Sequence, residues 1–449
     1  MQLRGKRPIV RLFVLVGAAT FGAHCSLLAP EKEEIVGERP VDVVPETPCE
    51  PAPPCDTPPP TTTTPDVTPD NPGRLVEVLK SATPGQTIFL AAGEYQISDT
   101  LLLDKRGLTL ASATGNADDV HLIGAGPEIL IRVAESNITL SALTMSGASQ
   151  ATVRLGAGQD TTISGTRLCG VHIVDGGAQP VLADSGFGWS DCGLVEGSTI
   201  ELTDAARDAA CAQQFVSGVS VEGGRDWVIR KNEIRGFHCP SADPPLPCGG
   251  SIKTVAVLFT LGARDTIIEN NWFIDSSRGI AFGFTDTTKP PRTYEDNPYP
   301  GEIIDHYDGI IRNNVIFTAI DSCLDTGIEL NHARMPEVLH NTIFQVSGMV
   351  GLSAIDRRYT STQALIRNNL VSDEITVRNE APDVGLEANI TNAEATYFVD
   401  VLSNPPNLHL VSTATAAIDT GVSSANAGVD MDGQAHGPKP DIGADELSP

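Results

Sequence analysis

The sequence "DGIIRNNVIF" fills residues 308–317 and contains the pattern apolar-x-x-Asn-x-apolar, which recurs along the chain. Asn314 holds the asparagine position of this stretch, and the same position can be traced in both directions. The residues at that position are, in order, Leu143, Thr166, Ser198, Asn232, Asn271, Asn314, Asn341, Asn369 and Asn389. Successive positions lie from 20 residues apart (369 to 389) to 43 residues apart (271 to 314). A unit of this length that repeats with insertions is typical of a solenoid.

Apolar residues alternate in short runs within each unit, which predicts β-strands, and no unit has a helical stripe long enough for a β-α-β fold. Three short strands fit one unit. Successive units would then stack about 4.8 Å apart, with each strand pairing to the next coil. Parallel crossovers are right-handed almost without exception. The sequence therefore predicts an all-β protein folded as a right-handed parallel β-helix, a solenoid.

The repeated asparagine is predicted to build this scaffold. Asparagine tolerates the left-handed backbone conformation that a sharp corner needs, and its amide can donate to and accept from identical neighbours on adjacent coils. The ends of a solenoid need covers because an exposed last coil is an open sheet edge. "RLVEVLKSA" (Arg74 to Ala82) predicts a short N-terminal capping helix. The irregular sequence from about Glu394 predicts a C-terminal cap that folds back over the last coil.

The charge balance limits the partners that we expect. The 449 residues carry a formal net charge of -27, so a basic nucleic-acid footprint is absent. Such a charge also repels polyanions at long range. Residues 225–358 are an exception, because they hold 13 Lys and Arg against 17 Asp and Glu, a net charge of -4. An acidic sugar would be tolerated best in this region.

The N-terminus predicts export. A basic start that includes Arg4 and Arg11 precedes the apolar run "LFVLVGAATFGA", and Cys25 follows. We predict an export signal over residues 1–25 with lipidation of Cys25; a free secreted protein is the alternative, since His24 is a poor residue before a lipidated cysteine. Residues 26–72 are rich in Pro and Thr and predict a disordered tether. Residues 73–449 are predicted to form the β-helix domain.

Export makes disulfides plausible. Cys49 and Cys55 flank "EPAPP" and predict a small closed loop, and Cys239 and Cys248 bracket the Pro-rich loop "PSADPPLP" and predict a second pair. The spacings do not match a zinc site. The sequence leaves the other connectivities open.

The chain resembles a known group of proteins in three places. "TIFLAAGEYQI" (87–97), the asparagine repeats and the ending "DMDGQ…PDIGADE" resemble secreted bacterial right-handed parallel β-helix proteins of the pectate-lyase-like superfamily. The resemblance covers roughly residues 74–446. It implies the fold, and it leaves activity open because the superfamily holds lyases, hydrolases, epimerases and adhesins.

Catalytic motifs of that superfamily match this chain poorly. The paired carboxylates and the Gly-His-Gly and Arg-Ile-Lys motifs of polygalacturonase-like hydrolases are missing, so hydrolysis by that route is not expected. Two short stretches are similar to lyase motifs, "IDH" at 304–306 and "RMP" at 334–336, but the position of the second motif arginine holds Leu339. Arg334 also lies seven residues before an asparagine position, as Arg225 and Arg264 do. A structural column of arginines is the competing interpretation.

One face of the solenoid gathers candidate functional residues. The strands "GIAFG", "GIELN" and "SAIDRR" are predicted to stack, and long insertions on either side are typical of the walls of a binding groove. The predicted catalytic residues are Arg278, Glu329, Lys253, His306 and Arg358. Among them Arg278, Lys253 or Arg358 would act as base or as neutraliser of a uronate, and His306 is a further candidate for the base. The predicted substrate-binding residues are Asp325, Asp356, Tyr294 and Tyr307. Calcium is the expected cofactor, with the ligands Asp325, Glu329 and Asp356.

The sequence leaves two functions open for this face. One is a polysaccharide-active enzyme, a uronan lyase or an epimerase-like protein. The other is a surface protein that binds glycan or displays a rigid body, in which the charged residues only tie coils together as salt bridges. "DMDGQ" resembles a fragment of a calcium loop but lacks its closing ligands, so a cap held by local turns is the favoured interpretation. We expect a monomer whose partners are a polysaccharide and, through lipidated Cys25, a membrane.

Overall fold

Most described strands of the protein stack into three parallel sheets. The computed structural model describes residue 49 and residues 53–56, 58–213, 215–242, 245–246, 254–284, 289–319, 324–346, 353–382 and 385–447. Within these residues every strand pair of the three sheets is parallel, and each chain turn contributes one strand to each sheet in sequence. The predicted right-handed parallel β-helix is confirmed.

The first sheet has 13 described strands, because some coils contribute two short strands in succession. Its strands are Thr87–Leu90, Thr109–Ser112, Thr139–Ser141, Arg167–Cys169, Leu194–Glu196, Val228–Arg230, Ala263–Arg264, Ile267–Glu269, His306–Tyr307, Ile310–Arg312, Ala333–Leu339, Gln363–Arg367 and Leu386–Glu387. The second sheet has ten described strands, which are Gly93–Ile97, Val120–Gly124, Thr144–Ser146, His172–Val174, Thr199–Glu201, Glu233–Arg235, Trp272–Ile274, Val315–Thr318, Thr342–Gln345 and Leu370–Val371.

The third sheet, which carries the candidate face, also has ten described strands. They are Leu101–Leu103, Ile129–Val133, Ala151–Leu155, Val181–Ala183, Val216–Glu222, Thr254–Thr260, Arg278–Phe282, Thr326–Asn331, Ser353–Arg358 and Ile375–Arg378. Three short pairs lie outside these sheets: Thr162–Ser164 with Trp189–Asp191, Ser241–Ala242 with Pro245–Leu246, and Phe398–Asp400 with Asn407–Leu410. The described helices are the α-helices Gly73–Ser81 and Asp204–Cys211 and the 3-10 turns Ala117–Asp119, Ser185–Phe187 and Ala395–Tyr397.

The core is a stack of aliphatic side chains inside the coils. Ile229, Ile268, Ile311 and Val338 pair in register along the first sheet and are fully buried. Because the side chains of a strand alternate between its two faces, each buried residue has neighbours that point outward. Register therefore fixes which residues of the third sheet form its outer face.

The repeated asparagine forms a continuous ladder beside this core. Asn271 Nδ2 donates to Asn314 Oδ1 over 2.9 Å, and Asn314 Nδ2 donates to Asn341 Oδ1 over 3.0 Å. The same side-chain bond links every consecutive pair from Asn232 to Asn389. Each of these oxygens also accepts a backbone N–H of the preceding coil, as between Asn314 and the N–H of Asn271 over 3.0 Å. The predicted scaffold role is confirmed.

The left-handed corner residue is the one before the ladder position. Asn270, Asn313 and Asn368 have φ angles of 54°, 54° and 57°, and Lys231 and His340 adopt the same conformation in their coils. In each Asn-Asn pair the second residue therefore points inward to the ladder, and the first forms the turn. The left-handed backbone at the corner and the side-chain ladder are therefore supplied by two adjacent residues.

The predicted capping helix covers the first coil. Helix Gly73–Ser81 buries Leu75, Val78 and Leu79 against the core, next to strand Leu101–Leu103. The described residues before this helix are attached to the body, and the rest of the predicted tether, residues 26–48, 50–52 and 57, lies outside the described residues. Val67 forms a parallel bridge with Leu90.

Two disulfides hold that segment further along the solenoid. Cys49 is bonded to Cys192 and Cys55 to Cys169, so the predicted Cys49–Cys55 loop is wrong. The physical reason is that Cys49 and Cys55 lie beside different coils, and each is bonded to the cysteine of the coil beside it. The Cys55 N–H also donates to Glu196 Oε2 over 2.8 Å.

The third described disulfide corrects a second prediction. Cys239 is bonded to Cys211 and not to Cys248, which lies outside the described residues. Helix Asp204–Cys211 brings Cys211 to the corner that Cys239 occupies in the next coil, where the Cys211 sulfur lies 3.6 Å from the His238 carbonyl oxygen.

The C-terminal segment is the predicted irregular cap, and it packs along the outer face of the second sheet beside its last strands. Aromatic and aliphatic side chains point outward from the second sheet, among them Phe317 and Phe344, and they pack against Phe398, Leu410 and Ile442 of the segment. The corner asparagines also donate to its carbonyl oxygens; the bonds are Asn313 Nδ2 to Ala427 over 2.6 Å and Asn368 Nδ2 to Val422 over 2.7 Å. The segment is drawn to the side because that surface is apolar.

"DMDGQ" is a turn within this segment. The carboxylate of Asp430 accepts the N–H groups of Asp432 and Gln434 over 3.0 and 2.6 Å through one oxygen, and that of Glu446 over 3.0 Å through the other. Asp430 is fully buried and joins the turn to the chain end. These hydrogen bonds form the local turns that the sequence predicted for this stretch.

Candidate functional site

The candidate site is the outer face of the third sheet, where three columns of side chains cross the last strands. Register aligns Ala281 with Glu329, Asp356 and Thr376 in one column. A second column contains Asn331, Arg358 and Arg378. Arg278 aligns with Thr326 at the start of the strands. The sequence correctly placed Arg278, Asp325, Glu329, Asp356 and Arg358 together.

Glu329 lies at the centre of an ion-pair network. The Arg278 guanidinium contacts Glu329 Oε2 through Nη1 at 2.6 Å and Asp325 Oδ2 through Nε at 3.0 Å. On the other side, Arg358 Nη1 lies 3.3 Å from Glu329 Oε1. Asn331 Nδ2 donates to the same oxygen. Glu329 is fully buried and Arg278 is 2% exposed, so both charges are held by protein groups rather than by water.

Asp356 joins two arginines at the C-terminal end of the network. Arg358 Nε lies 2.5 Å from Asp356 Oδ2, and Arg378 Nε lies 2.9 Å from Oδ1. The Thr376 hydroxyl also donates to Oδ1 over 3.0 Å. Burial works to raise the pKa of Asp356, but hydrogen bonds and positive charge from Arg378 and Arg358 outweigh it and hold the pKa below its usual value. Asp356 therefore stays ionised at neutral pH.

The network is electrically balanced. Three guanidinium groups, those of Arg278, Arg358 and Arg378, face three carboxylates, those of Asp325, Glu329 and Asp356. Buried charges are tolerated when they are paired and hydrogen-bonded, and this arrangement meets that requirement.

This balance bears on the expected calcium. Hard cations need several free oxygen ligands. Each of the three carboxylates proposed as ligands is already bound by an arginine, so the set does not fit a calcium ion as it stands. Calcium dependence of this face stays a prediction.

An apolar surface adjoins the network on the same face. Val255 and Leu258 of strand Thr254–Thr260 cluster with Ala281 of the next strand, and the rings of Phe215 and Phe284 pack against them. The two rings meet edge to face at a centroid distance of 5.3 Å. The rings and the edge of the network are the more open parts of the face: Phe215 and Phe284 are half-buried, and the Arg378 side chain is 33% exposed.

Sequence reasoning missed part of this site. Arg378 and Thr376 belong to a later coil, and Phe215 and Phe284 precede or follow their strands. Their membership depends on the register between coils, which the insertions in the repeat obscure. The one available signal was the spacing of the strand "ITVR" (375–378) after "SAIDRR" (353–358).

His306 does not lie on this face. Its ring is fully buried inside the coil, stacked on Phe282 at 3.6 Å, and one ring nitrogen contacts the Thr266 hydroxyl at 3.0 Å. Burial lowers the pKa of His306 to about 3. Its register partners Ala263 and Ala333 point into the core as it does, so the ring lies apart from the candidate face, and the role of catalytic base stays a prediction.

Tyr294, in the insertion before strand His306–Tyr307, and Tyr307, in that strand of the first sheet, are buried in one cluster, and a substrate-binding role for them stays a prediction. Both rings surround the Arg264 guanidinium, whose carbon lies 5.1 and 5.0 Å from their centroids. Arg264 is in turn paired with Asp296 at 2.6 Å. Burial raises the pKa of Tyr294 well above its usual value. This cluster fastens the long insertion after strand Arg278–Phe282 to the body.

The remaining candidates divide into two groups. Arg334 belongs to a structural column, as the repeat suggested: Arg225 pairs with Arg264, and Arg264 with Tyr307 and then Arg334. Lys253 and Cys25 lie outside the described residues. Within the part of the chain that the structure describes, neither α-helix has the length and hydrophobicity of a transmembrane span.

Together the coils define a right-handed parallel β-helix protein. No family profile matches the chain, and no curated protein matches its sequence. Among solved structures it is similar to pectate lyase Pel9A, with 14% identity, a TM-score of 0.53 and coverage of 83% of this chain and 90% of that one.

Two further similar structures have lower TM-scores. An alginate lyase from Paenibacillus sp. str. FPU-7 has 17% identity, a TM-score of 0.46 and coverage of 73% of this chain and 98% of that one. The Streptococcus pneumoniae surface protein and adhesin PfbA has 11% identity, a TM-score of 0.42 and coverage of 72% and 96%. At these identities the likeness concerns the fold.

Proposed function

We propose that the protein binds a polysaccharide along the outer face of the third sheet. The observation that carries this proposal is the contact between two surfaces of different character on one rigid face: the apolar surface of Phe215 and Phe284, and the arginine-carboxylate network that ends at Arg378. Polysaccharides need both kinds of surface, because sugar rings have apolar C–H faces and polar edges.

The aromatic rings supply the apolar part of the proposed site. Phe215 and Phe284 are half-buried against Val255, Leu258 and Ala281, so their positions are fixed by packing before a ligand binds. A fixed aromatic surface loses little conformational entropy on binding. We expect one sugar ring to stack there.

Arg378 and Thr376 supply the polar part. The Arg378 side chain is partly exposed and is oriented by Asp356, so some of its N–H donors remain directed outward. Guanidinium groups bind carboxylates in a fixed planar geometry, which favours a uronate in the polymer. The charge balance of the network permits this, whereas the chain as a whole, at -27, would repel an acidic polymer.

A uronan lyase or epimerase is the second candidate. Its support is that proton abstraction beside a carboxylate requires basic groups next to the bound uronate, and Arg278 and Arg358 stand in the same network as Arg378. Both are engaged by Glu329, which is why we place binding first. We further propose that the protein is exported, attached through Cys25 and monomeric; the three disulfides agree with an oxidising compartment.

A binding and cleavage assay on the purified protein tests the proposal. Alginate, pectate, chondroitin, hyaluronan and a neutral glucan are compared by affinity electrophoresis, and the absorbance of unsaturated uronate is followed with calcium or with chelator. We expect retardation by at least one acidic polymer, weakened about tenfold or more by Phe284→Ala and Arg378→Ala. Arg106→Ala, an exposed arginine near the first coil, is the matched control.

The outcomes separate the candidates. Retardation without absorbance change supports a binding protein, and a rise in absorbance that Arg378→Ala abolishes supports a lyase. Retardation that both variants leave unchanged would place the binding elsewhere. If Arg106→Ala weakens retardation as much as Arg378→Ala does, the weakening reflects the loss of one positive charge and not the loss of a specific contact. If no polymer is retarded, the proposal fails.

A further inference from the structure

A second cluster of chemically competent side chains lies in the C-terminal segment, far from the candidate face in sequence. His409, Asp432 and Asp445 bring one ring nitrogen and two carboxylates within 4.8 Å of one another. They come from three different parts of the segment: the strand Asn407–Leu410, the turn "DMDGQ" and the ending "PDIGADE". None of them belongs to the network of the third sheet.

Backbone hydrogen bonds hold these three parts together independently of the side chains. Met431 N–H donates to the Ala444 carbonyl over 2.8 Å, and Ala444 N–H donates to the Thr342 hydroxyl over 2.9 Å. These bonds set the turn beside the chain end and fix both to the second sheet. The positions of Asp432 and Asp445 are therefore built by the fold.

The imidazole of His409 is oriented by a neighbour outside the cluster. Its Nδ1 lies 2.7 Å from Asn407 Oδ1, and the same oxygen accepts the His409 backbone N–H over 3.2 Å, which identifies it as the amide oxygen. Nδ1 must therefore carry the proton and donate it. Nε2 faces Asp432 Oδ2 at 2.9 Å, and a carboxylate oxygen is also an acceptor.

A neutral imidazole that donates from Nδ1 leaves Nε2 as an acceptor that faces a carboxylate, a contact that either a second proton or a cation would satisfy. A cation between Nε2 and the carboxylates would satisfy all three ligand atoms. Metal-binding histidines commonly donate their other ring N–H to an oxygen acceptor, as His409 does to Asn407.

The charges around the cluster also favour a cation. Asp445 is 4% exposed, and the backbone N–H of Leu410 donates to its Oδ2 over 2.6 Å. Asp430 is fully buried in the adjoining turn. Among the described residues no Lys or Arg forms an ion pair with Asp430, Asp432 or Asp445. Buried carboxylates are usually paired with a positive group or a metal.

We propose that His409, Asp432 and Asp445 bind a divalent transition metal, for which zinc is the best match. One imidazole nitrogen and two carboxylate oxygens suit zinc, with water completing the tetrahedron. Calcium is a poorer match because it prefers an all-oxygen set of six or more ligands. The metal would clamp the hairpin, the turn and the chain end of a segment that has little regular secondary structure of its own.

Zinc binding and thermal stability test this proposal on the whole protein. After treatment with chelator and buffer exchange, bound zinc is measured by equilibrium dialysis with elemental analysis, and the unfolding temperature is recorded with and without added zinc. A ligand that binds only the folded state raises this temperature, and we expect a rise of several degrees. Asp432→Asn and His409→Gln should remove both the bound zinc and the rise.

Asp400→Asn serves as the matched control. Asp400 lies in the same hairpin as His409 but outside the cluster, and this variant should behave as the unaltered protein does. Asp432 is about half exposed, and its described side-chain contact is with His409, so its replacement should leave the fold intact without metal. The proposal is overturned if zinc fails to bind, if the two cluster variants retain the zinc-induced rise, or if calcium but not zinc produces it.

Discussion

The Arg278 guanidinium lies 2.6 Å from Glu329 Oε2, and both side chains are almost completely buried on neighbouring strands of the third sheet. Such a pair contributes little compared with an apolar pair of the same shape, yet it is costly to break from one side. The relationship therefore has a direct consequence for stability, whatever the face binds.

Replacement of Glu329 by Ala should lower the free energy of unfolding by about 3–5 kcal/mol, because Arg278 and Arg358 lose their shared carboxylate while buried. Urea unfolding followed by circular dichroism measures the change. Glu302→Ala is the control, since Glu302 is 45% exposed and lies 3.8 Å from Arg334. That variant should change stability by less than about 1 kcal/mol. Equal effects of the two substitutions would contradict the burial of the network.

The asparagine ladder predicts that replacement of an asparagine in its middle lowers stability more than replacement of one at its end. Asn314→Ala removes an oxygen that accepts both the Asn271 amide and its backbone N–H, and a donor to Asn341. Each buried group left without its partner costs about 1–3 kcal/mol. Asn389→Ala, at the partly buried end of the ladder, should cost clearly less, although it too accepts two N–H groups. The same urea experiment compares them, and a larger loss for Asn389→Ala would argue against the ladder as the main effect.

The two N-terminal disulfides predict protection of the Pro-rich segment from proteolysis. Cys49→Ser with Cys55→Ser should release residues 49–66 and expose them to cleavage, because these two bonds tie the segment to Cys192 and Cys169. Limited proteolysis with mass spectrometry detects the new cleavage sites. Cys211→Ser with Cys239→Ser removes the third disulfide and should leave this segment protected. Cleavage between 49 and 66 in the unaltered protein would show that the disulfides do not fix it.

His306 predicts a loss of stability in acid. Its folded pKa is about 3, well below the unfolded value of about 6.5, so the unfolded chain binds a proton that the folded protein does not. Above a pH of about 6.5 this histidine does not lower the free energy of unfolding. As the pH drops from there towards 3, protonation of the unfolded chain lowers the free energy of unfolding progressively. Between about pH 7.5 and about pH 4.5 the loss should be roughly 2–3 kcal/mol.

His306→Phe should make the stability less dependent on pH, since phenylalanine keeps the stacked ring and cannot titrate. Urea unfolding at the two pH values measures the difference. Thr266→Val removes the hydrogen bond to His306 without removing the titration, so it should lower stability without flattening the pH dependence. An unchanged pH dependence in His306→Phe would mean that other groups set the acid sensitivity.

The fold was predictable because the same sequence pattern recurs in successive coils. Each coil presents the same alternation and the same asparagine position, and the ladder from Asn232 to Asn389 is the direct physical result. The grouping of Arg278, Glu329 and Asp356 followed from the same register, since coils of known phase stack in only one way.

The sequence was least informative where the chain leaves the repeat. His306 begins a strand after a long insertion, and its motif-like sequence gave no sign that the ring points into the core. Tyr294 lies within that insertion and packs with Tyr307 on the first sheet. Insertions carry no periodicity, so the surface that they cover depends on which apolar side chains they meet.

The sequence by itself determined the solenoid, its capping helix and the strands that form the candidate face, because local patterns repeated at every coil specify them. Tertiary structure alone decided the disulfide partners of Cys49 and Cys55, the course of the C-terminal segment along the second sheet and the meeting of His409, Asp432 and Asp445. These contacts join residues far apart in the chain. They follow from where irregular segments find apolar surface on the finished solenoid, which no local pattern records.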